Sequence, residues 1–318
     1  MNSGEKMGGI ICQLKDLASL NKPLHLAMGV FDGVHIGHQA VIGSAVDAAR
    51  ETNGLAGVLT FDPHPIHVLA PQVAPQRILA SLNHKQGLLT DLGVELMVVI
   101  PFTHDFADVE AEVFLQSLLT HSQDLCSLAM GEDWKFGKGR RGNVDLLREF
   151  GQKHEVAIQA MSAVMIDGER VSSTRIRQAI RDGNLEAAET MLGRPYTVLG
   201  TVIEGRQLGR TIGFPTANLR VYNEQLPCDG IWVVRCELDD GEVYCGAGNL
   251  GVRPTVEGEV AKRLLEIHLL DFEGDIYGRE MEVTFLEMVR REKKFDSLDS
   301  LKKQISEDVD YCRDHCMS

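Results

Sequence analysis

Two histidines with a glycine between them are the residues of this chain best suited to phosphate chemistry. His35 and His38 lie in the segment GVFDGVHIGHQ, which starts at Gly29. At the start of a helix, imidazoles and free backbone N–H groups can donate hydrogen bonds to phosphate oxygens, and Gly37 lets the backbone approach closely. The pattern predicts ATP-using nucleotidyl transfer. For an HxxH segment standing alone, two surface histidines beside a turn would be the simpler interpretation.

A second segment that could bind an anion runs from Arg170 to Arg177 and reads RVSSTRIR. Hydroxyl side chains such as Ser173 and Thr174 cap a helix start, and the same N–H groups can receive a phosphate. Arg175 and Arg177 are two positions apart and point to different sides of a helix, so at most one faces the phosphates. A capped helix with solvated arginines explains this segment equally well when it is taken alone.

Two loops that follow predicted strands can complete the same site. One is FDPHP at residues 61–65, and the other is GEDWKFG at residues 131–137. Aromatic side chains such as Phe136 could face adenine or another planar ring, and Asp133 could hold its polar edge. Ordinary turn formation explains the prolines and glycines of these loops as well.

In the second half, residues 200–218 read GTVIEGRQLGRTIGFPTAN and suit a loop that folds over a polyphosphate. The glycines and arginines that could contact phosphates are Gly205, Gly209, Gly213, Arg206 and Arg210. The segment lacks the GxxxxGK[ST] pattern of a Walker loop. Thr216 and Asn218 can face one side of an extended stretch, where their oxygens suit Mg²⁺ shared with phosphates. Without further context, these glycines would be barrel corners.

Glu266 is a charged residue in the otherwise apolar stretch LLEIHLL. Phosphoryl transfer to an alcohol benefits from a carboxylate that takes the hydroxyl proton, and Glu266 can supply it. Glu266 and His268 alternate to one face of a strand, which we expect to be polar and to lie at the mouth of a barrel. A lone strand glutamate is more commonly a solvated residue of the outer face.

The elements that position these residues differ between the two halves. In the first half, short apolar runs alternate with helical patterns, which predicts a parallel sheet with helices on both faces. The predicted strands are Leu24–Met28, Leu55–Phe61, Leu96–Ile100, Leu125–Met130 and Val156–Met161, and the predicted helices are His38–Thr52, Ser81–Leu92, Glu112–Leu119 and Val144–His154. Because ligands bind at the carboxyl ends of such strands, the histidine segment is well placed.

The second half lacks long helices between its strands, which predicts an antiparallel barrel or sandwich. The predicted strands are Val198–Ile203, Gly230–Glu237, Glu242–Ala247, Leu264–Leu270 and Glu280–Leu286. A helix from about Ser297 carries one apolar stripe and is expected to pack on the barrel. A chain of 318 residues fits two domains, which we predict at residues 1–186 and 187–318.

Composition limits the classes of partner. The net charge is −14, from 32 Lys and Arg against 46 Asp and Glu, so we expect small-molecule partners, no nucleic acid and no membrane. No apolar run reaches the roughly 20 residues of a membrane span, and no signal peptide is recognisable. Because the seven cysteines form no regular framework, a cytoplasmic protein with reduced thiols is the expectation.

Together, these motifs resemble the bacterial family of bifunctional riboflavin kinase/FAD synthetases over essentially the whole chain. FDGVHxGH, FxPHP, GxDxxFG and SSTxxR follow the order of the FMN adenylyltransferase domain, with Trp134 where the family more often has Phe. GRxxGFPTAN, NxGxRPT, ExHLLDF and RxExxF follow the order of the riboflavin kinase domain. The resemblance implies an α/β fold: a Rossmann-like HxGH nucleotidyltransferase domain, then a six-stranded antiparallel β-barrel with a C-terminal helix.

The resemblance also implies roles for individual residues. His35, His38 and Arg177 would be catalytic in the first domain, and Glu266 would take the ribityl hydroxyl proton in the second. The residues implied to bind ATP or FMN in the first domain are Gly37, Asp133, Phe136, Arg170, Ser173 and Thr174. Those implied to bind ATP or flavin in the second are Gly205, Arg210, Gly213, Arg290 and Phe295, with Mg²⁺ held by Thr216 and Asn218.

The implied activity is phosphorylation of riboflavin by ATP to FMN, followed by adenylylation of FMN by a second ATP to FAD and pyrophosphate. An enzyme with one of these activities, or one that uses another phosphate ester, would share the histidine segment. A flavin-binding regulator without turnover would have lost His35, His38, Thr216 or Glu266, and all four are present. The sequence leaves the oligomeric state open, a homo-oligomer included.

Overall fold

The computed structural model describes residues 9–11, 13–72, 78–205, 208–222, 225–252 and 263–316. These residues form two compact units. The first contains the described residues up to 72 and Leu82–Ser173, and the second contains those from Thr174 onwards with residues 78–81. The domain boundary at residue 186 stays a prediction. No helix among the described residues is long and apolar enough to cross a membrane.

A six-stranded sheet forms the centre of the first unit and confirms the Rossmann-like prediction. Its strands are β1 (Gly9–Ile11), β2 (Leu24–Met28), β3 (Leu55–Asp62), β4 (Leu96–Pro101), β5 (Leu125–Gly131) and β6 (Ala157–Met161). Neighbouring strands are parallel, in the order β1-β4-β3-β2-β5-β6. From β2 the chain proceeds to β3 on one side and later to β5 on the other, which makes the β2–β5 edge the switch point where ligands bind.

Helices cover both faces of this sheet because alternate strand residues point to opposite sides. Leu26 enters one core with residues of α5 and α6, and Ala27 enters another with residues of α1 and α3. The helices are α1 (Ile36–Thr52), α2 (Pro65–Leu69), α3 (Leu82–Asp91), α4 (His104–Ala107), α5 (Ala111–His121) and α6 (Val144–His154). A short hairpin of β7 (Met165–Ile166) and β8 (Glu169–Arg170) precedes α7 (Ser173–Arg181).

The second unit contains a closed, six-stranded antiparallel barrel, as predicted. Its elements are α8 (Leu185–Leu192), β9 (Thr197–Ile203), α9 (Leu208–Ile212), β10 (Ala217–Val221), β11 (Gly230–Leu238), β12 (Val243–Val252), β13 (Arg263–Leu269), β14 (Glu280–Arg290) and α10 (Leu298–His315). The order around the barrel is β10-β13-β12-β11-β14-β9. Trp232, Leu265 and Phe285 are among the fully or almost fully buried side chains.

Helix α10 packs on β11, β12 and β14, which confirms the predicted packing of the final helix on the barrel. Ser297 caps its start through a bond from the backbone N–H of Ser300. Cys312 is buried on the helix face that meets Val233. This helix therefore covers part of the outer face of the barrel.

A disulfide joins Cys245 of β12 to Cys316, the residue that follows α10, with a Cα–Cα distance of 5.9 Å. The prediction of reduced thiols is wrong for this pair. Its members are 71 residues apart, and they meet because α10 docks on the barrel, which cysteine spacing alone does not reveal. Among the described residues, the free cysteines are Cys126, Cys228, Cys236 and Cys312.

Candidate functional sites

The histidine segment follows β2 and begins α1 at the switch point of the sheet. Phe31, Gly33 and Val34 have φ angles of 51°, 79° and 44°, so the chain turns sharply before the helix. His35 is the N-cap of α1, and its Nδ1 accepts a bond from the backbone N–H of His38 at 3.3 Å. A Cβ added to Gly37 would lie 3.2 Å from the His35 ring, so glycine leaves room for this imidazole.

The two imidazoles are stacked, with ring centroids 3.5 Å apart. Burial, and then the nearby charges of His35 and Lys85, hold the pKa of His38 well below its ordinary value, so its ring is neutral at pH 7. Nδ1 of His38 is inaccessible to solvent and has no hydrogen-bond partner within the described parts of the chain. Such an atom costs free energy until something binds it.

Lys85 of α3 binds the start of the histidine loop. Its Nζ donates to the carbonyl of Val30 at 2.9 Å, and Thr60 Oγ1 donates to the same carbonyl at 3.0 Å. Lys85 is 6% exposed, and burial lowers its pKa. Lys85 was not predicted as a site residue, because a lysine in a helical pattern usually marks a solvated face.

Ser173 ties the RVSSTRIR segment to the histidine loop within the first unit. Its Oγ donates to the carbonyl of Asp32 at 3.0 Å. Thr174 and Arg177 belong to the second unit, where Arg177 is 8% exposed on α7. Their contribution to phosphate binding stays a prediction.

A cavity of about 680 Å³ lies beside the histidine loop and is lined by aromatic side chains. These are Phe61, Phe102, Phe106, Phe114, Trp134 and Phe136. Trp134 and Phe136 stack on each other with centroids 4.7 Å apart, so the family-atypical tryptophan occupies the cavity wall. The cavity could accept a large planar ring.

Asp133 and Arg170 form an ion pair at the rim of this cavity. Arg170 Nη2 donates to Asp133 Oδ1 at 3.0 Å, and a second bond joins Nη1 to Oδ2. Hydrogen bonding from Arg170 lowers the pKa of Asp133. Both side chains are about half exposed, at 54% and 53%, so a ligand can reach them. With Phe136, the structure brings together these three predicted binding residues.

In the second unit, two cavities meet at Thr216. The larger, about 650 Å³, is also lined by Glu266, Asn249, Arg290 and Phe295. The smaller, about 410 Å³, is lined by Arg210, Thr216 and the segment from Phe272 to Tyr277. One residue therefore borders both volumes, which suits transfer of a group from a ligand in one cavity to a ligand in the other.

Glu266 is the central member of a polar row across three neighbouring strands. The register pairs Glu266 of β13 with Asn218 of β10 on one side and with Asn249 of β12 on the other. Directly paired residues project to the same face of a sheet. Because Leu265 and Ile267 fill the interior, this face is the outer one beneath α10, and the expectation that Glu266 lies at the barrel mouth is wrong.

The loop before β10 packs tightly around Asn218. A Cβ on Gly205 would lie 2.1 Å from Asn218 Nδ2, so only glycine fits there. Asn218 is 4% exposed, and its Oδ1 has no hydrogen-bond partner among the described residues. Gly213, with φ 95°, follows α9 at a position that favours glycine. The structure thus gives Gly205 and Gly213 steric roles, while phosphate contact by this loop stays a prediction.

Arg290 and Phe295 lie together in the larger cavity. The guanidinium of Arg290 stands 5.7 Å from the ring centroid of Phe295 and is held by the almost fully buried Asp308 of α10. Arg290 Nε donates to Asp308 Oδ1 at 2.9 Å, and Nη2 donates to Oδ2 at 2.6 Å. Asp308 was not predicted as a site residue, because one acidic residue in a helix that carries several gives no distinguishing signal.

Comparisons with known proteins match each unit separately. The family model described as FAD synthetase matches residues 17–175, and the model described as riboflavin kinase matches residues 192–316. The Haemophilus influenzae protein named bifunctional riboflavin kinase/FMN adenylyltransferase is 38% identical, over 93% of this chain and 96% of that protein. The Escherichia coli K12 protein of the same name is 38% identical, over 89% of this chain and 90% of its own.

One solved structure is similar over nearly the entire chain. It is a crystal structure of a Streptococcus pneumoniae protein described as a macrolide-efflux protein, with 31% identity and a TM-score of 0.83. The similarity covers 96% of this chain and 99% of that one.

Proposed function

The chain belongs to the family of bifunctional riboflavin kinases/FMN adenylyltransferases, and on that premise we propose that it converts riboflavin to FMN and FMN to FAD. The observation that carries the proposal is the presence of two candidate sites in one chain. One is the histidine loop beside an aromatic cavity, and the other is the pair of barrel cavities that share Thr216.

In the kinase reaction, Glu266 accepts the proton of a ribityl hydroxyl, and the resulting oxygen attacks the γ-phosphorus of ATP. ADP leaves, and FMN forms. Riboflavin occupies the larger cavity, where Arg290 and Phe295 border the flavin, and ATP occupies the smaller one, beside Arg210. A base is needed because an alcohol is a weak nucleophile until its proton is removed.

In the adenylyltransferase reaction, a phosphate oxygen of FMN attacks the α-phosphorus of a second ATP, and pyrophosphate leaves. FMN phosphate is already anionic at neutral pH, so the site needs stabilisation of charge more than a base. His35, His38, Ser173 and the amino terminus of α1 donate hydrogen bonds to the phosphates. The contribution of Thr174 and Arg177 stays a prediction from the sequence. The flavin ring occupies the aromatic cavity, where Asp133 and Arg170 bind the polar edge of the ring at the cavity rim.

Thr216 and Asn218 fit a Mg²⁺ ion that accompanies the ATP of the kinase reaction. Mg²⁺ prefers hard oxygen ligands, and the buried Oδ1 of Asn218 is such an atom, without a protein partner among the described residues. The ion neutralises phosphate charge when bound. Asn218 Oδ1 and the Thr216 hydroxyl would hold it.

The same proposal places the enzyme in the cytoplasm, where riboflavin and ATP are its small-molecule partners and nucleic acid is not a ligand. It leaves room for a homo-oligomer. The net charge of −14 supports selection of small anions by local groups over binding of a polyanion.

The proposal is tested by incubating the full chain with riboflavin, ATP and Mg²⁺ and separating the flavins by chromatography. We expect FMN first and FAD later, and FAD alone from supplied FMN. Addition of a chelator should stop FMN formation. Unchanged riboflavin would refute the kinase half, and supplied FMN that is never converted to FAD would refute the adenylyltransferase half.

A further inference from the structure

The polar row across β10, β13 and β12 contains one residue to which the reaction described above gives no role. Asn249 sits on the β12 side of Glu266, opposite the Asn218 side. Neighbouring strands are about 4.8 Å apart, so both asparagines lie within reach of ligand groups that contact Glu266. A buried polar atom is costly unless something binds it.

The amide oxygen of Asn249 lacks a partner. Its Oδ1 is inaccessible to solvent and receives no hydrogen bond from any residue that the structure describes. In folded proteins the large majority of buried polar atoms have a partner, and each exception calls for an explanation. Asn218 Oδ1 shows the same property, and the Mg²⁺ ion proposed there accounts for it.

The two asparagines differ in what they face. Asn249 lines the larger cavity together with Glu266, Arg290 and Phe295. Asn218 instead packs against Gly205, in the loop that precedes the smaller, ATP-side cavity. Asn249 is therefore on the side of the group that accepts the phosphate, and the group that it meets must be a hydrogen-bond donor, because Oδ1 only accepts.

We propose that Asn249 is a further catalytic residue of the kinase site, whose amide oxygen accepts a hydrogen bond from a ribityl hydroxyl of riboflavin. This rests on the proposed kinase function. A polyol carries hydroxyls on neighbouring carbons, so one hydroxyl can meet Glu266 while another meets Asn249. Hydrogen bonds to two hydroxyls of the ribityl chain orient the reacting oxygen toward the ATP phosphates.

The test compares Asn249→Ala, Asn249→Ser and the control Tyr244→Phe in the full chain. We expect Asn249→Ala to lower kcat/KM for riboflavin about tenfold, the value of one neutral hydrogen bond, and to leave KM for ATP unchanged. Asn249→Ser keeps an acceptor oxygen and should retain most activity. Tyr244→Phe removes a hydroxyl that donates to Glu242, the residue just before β12, outside the cavity, and should change nothing.

Two further readouts separate recognition of substrate from a structural role. Loss of Oδ1 should not by itself lower the melting temperature of Asn249→Ala, because this atom makes no hydrogen bond among the described residues. The second readout uses riboflavin analogues that each lack one ribityl hydroxyl. For one analogue, the kcat/KM of the wild type should be about tenfold lower than for riboflavin, whereas the kcat/KM of Asn249→Ala should be the same for both.

If every analogue lowers kcat/KM by the same factor in wild type and in Asn249→Ala, the proposal is overturned. An unchanged kcat/KM for riboflavin in Asn249→Ala would also overturn it. Failure of the wild type to make FMN would instead refute the proposed function itself. If Asn249→Ala does not fold, Asn249→Leu, which also lacks the acceptor oxygen but keeps the volume of the side chain, replaces it in the analogue series.

Discussion

The two candidate sites are built in opposite ways. The adenylyltransferase site is centred on eight consecutive residues, Phe31 to His38, which turn sharply and enter α1. The kinase site draws its side chains from β10, β12, β13 and β14 and from α10, over about a hundred residues of chain. The first is thus a local motif on a rigid sheet edge, whereas the second exists only when the barrel closes and α10 docks.

This difference predicts how each site fails. A substitution in the histidine loop should affect one reaction through contacts with phosphate and leave the barrel intact. A substitution in the kinase site can act through neighbouring strands, because its residues depend on one another for position. Measuring both activities in every variant makes each unit the internal control of the other.

The largest effect is expected for Glu266→Gln, which keeps the shape of the side chain but removes the base. FMN formation should fall by about 10² to 10⁴, while adenylylation of supplied FMN stays normal. The control is Glu237→Gln, which alters an exposed carboxyl of β11. Rapid FMN formation by Glu266→Gln would show that the base assignment is wrong.

A somewhat smaller effect is expected for His38→Ala, which removes a hydrogen-bond donor to the phosphates. FAD synthesis from FMN should fall by about 10² to 10³, while FMN formation continues. His104→Ala, an exposed histidine of α4, is the matched control. Unimpaired FAD synthesis in His38→Ala would exclude the proposed role of the histidines.

Gly205→Ala tests whether the kinase site depends on packing between its parts. The added methyl would collide with the Asn218 amide, so kinase activity should fall by about tenfold and the Mg²⁺ concentration for half-maximal rate should rise. Gly87→Ala, where a Cβ meets no atom within 4 Å, is the control. Normal Mg²⁺ dependence in Gly205→Ala would mean that Asn218 does not hold the ion.

The smallest effect concerns pH and the stability of the first unit. The pKa of His38 is lowered in the folded state, so below pH 6.5 the unfolded chain binds a proton that the folded chain does not. Stability should therefore fall as the pH drops below 6.5. Hydrogen exchange of α1 amides measures this stability, which should depend less steeply on pH in His38→Ala than in the wild type. The same pH dependence in both proteins would contradict the assignment of a neutral His38.

The comparison also explains what could be predicted from the sequence. Long periodic segments such as β2 and α6 have the predicted bounds, because hydrophobic pattern and packing agree there. Strand β12 continues to Val252, beyond its predicted end at Ala247. Gly248 and Gly251 interrupt the strand pattern in the sequence, but pairing with β13 stabilises the strand through these residues. A local pattern does not contain that information.

The same limit applies to the sites. The histidine loop could be located because its residues are consecutive, whereas the contact of Lys85 with Val30 joins residues 55 positions apart. Asp308 holds Arg290 only because α10 folds back on the barrel. The disulfide between Cys245 and Cys316 depends on the same docking, whereas the outward direction of Glu266 depends on closure of the barrel around Leu265 and Ile267. Residues that act through tertiary contacts need the structure to reveal them.

Closure of the barrel has a consequence for contacts between copies of this chain. In the closed order β10-β13-β12-β11-β14-β9, every strand has two neighbours, so the described part of the barrel offers no strand edge for backbone pairing with another chain. The open sheet of the first unit ends at β1 and β6 and has two such edges. Aggregation by strand addition should therefore begin in the first unit, and the barrel should remain in solution longest when the protein is partly unfolded.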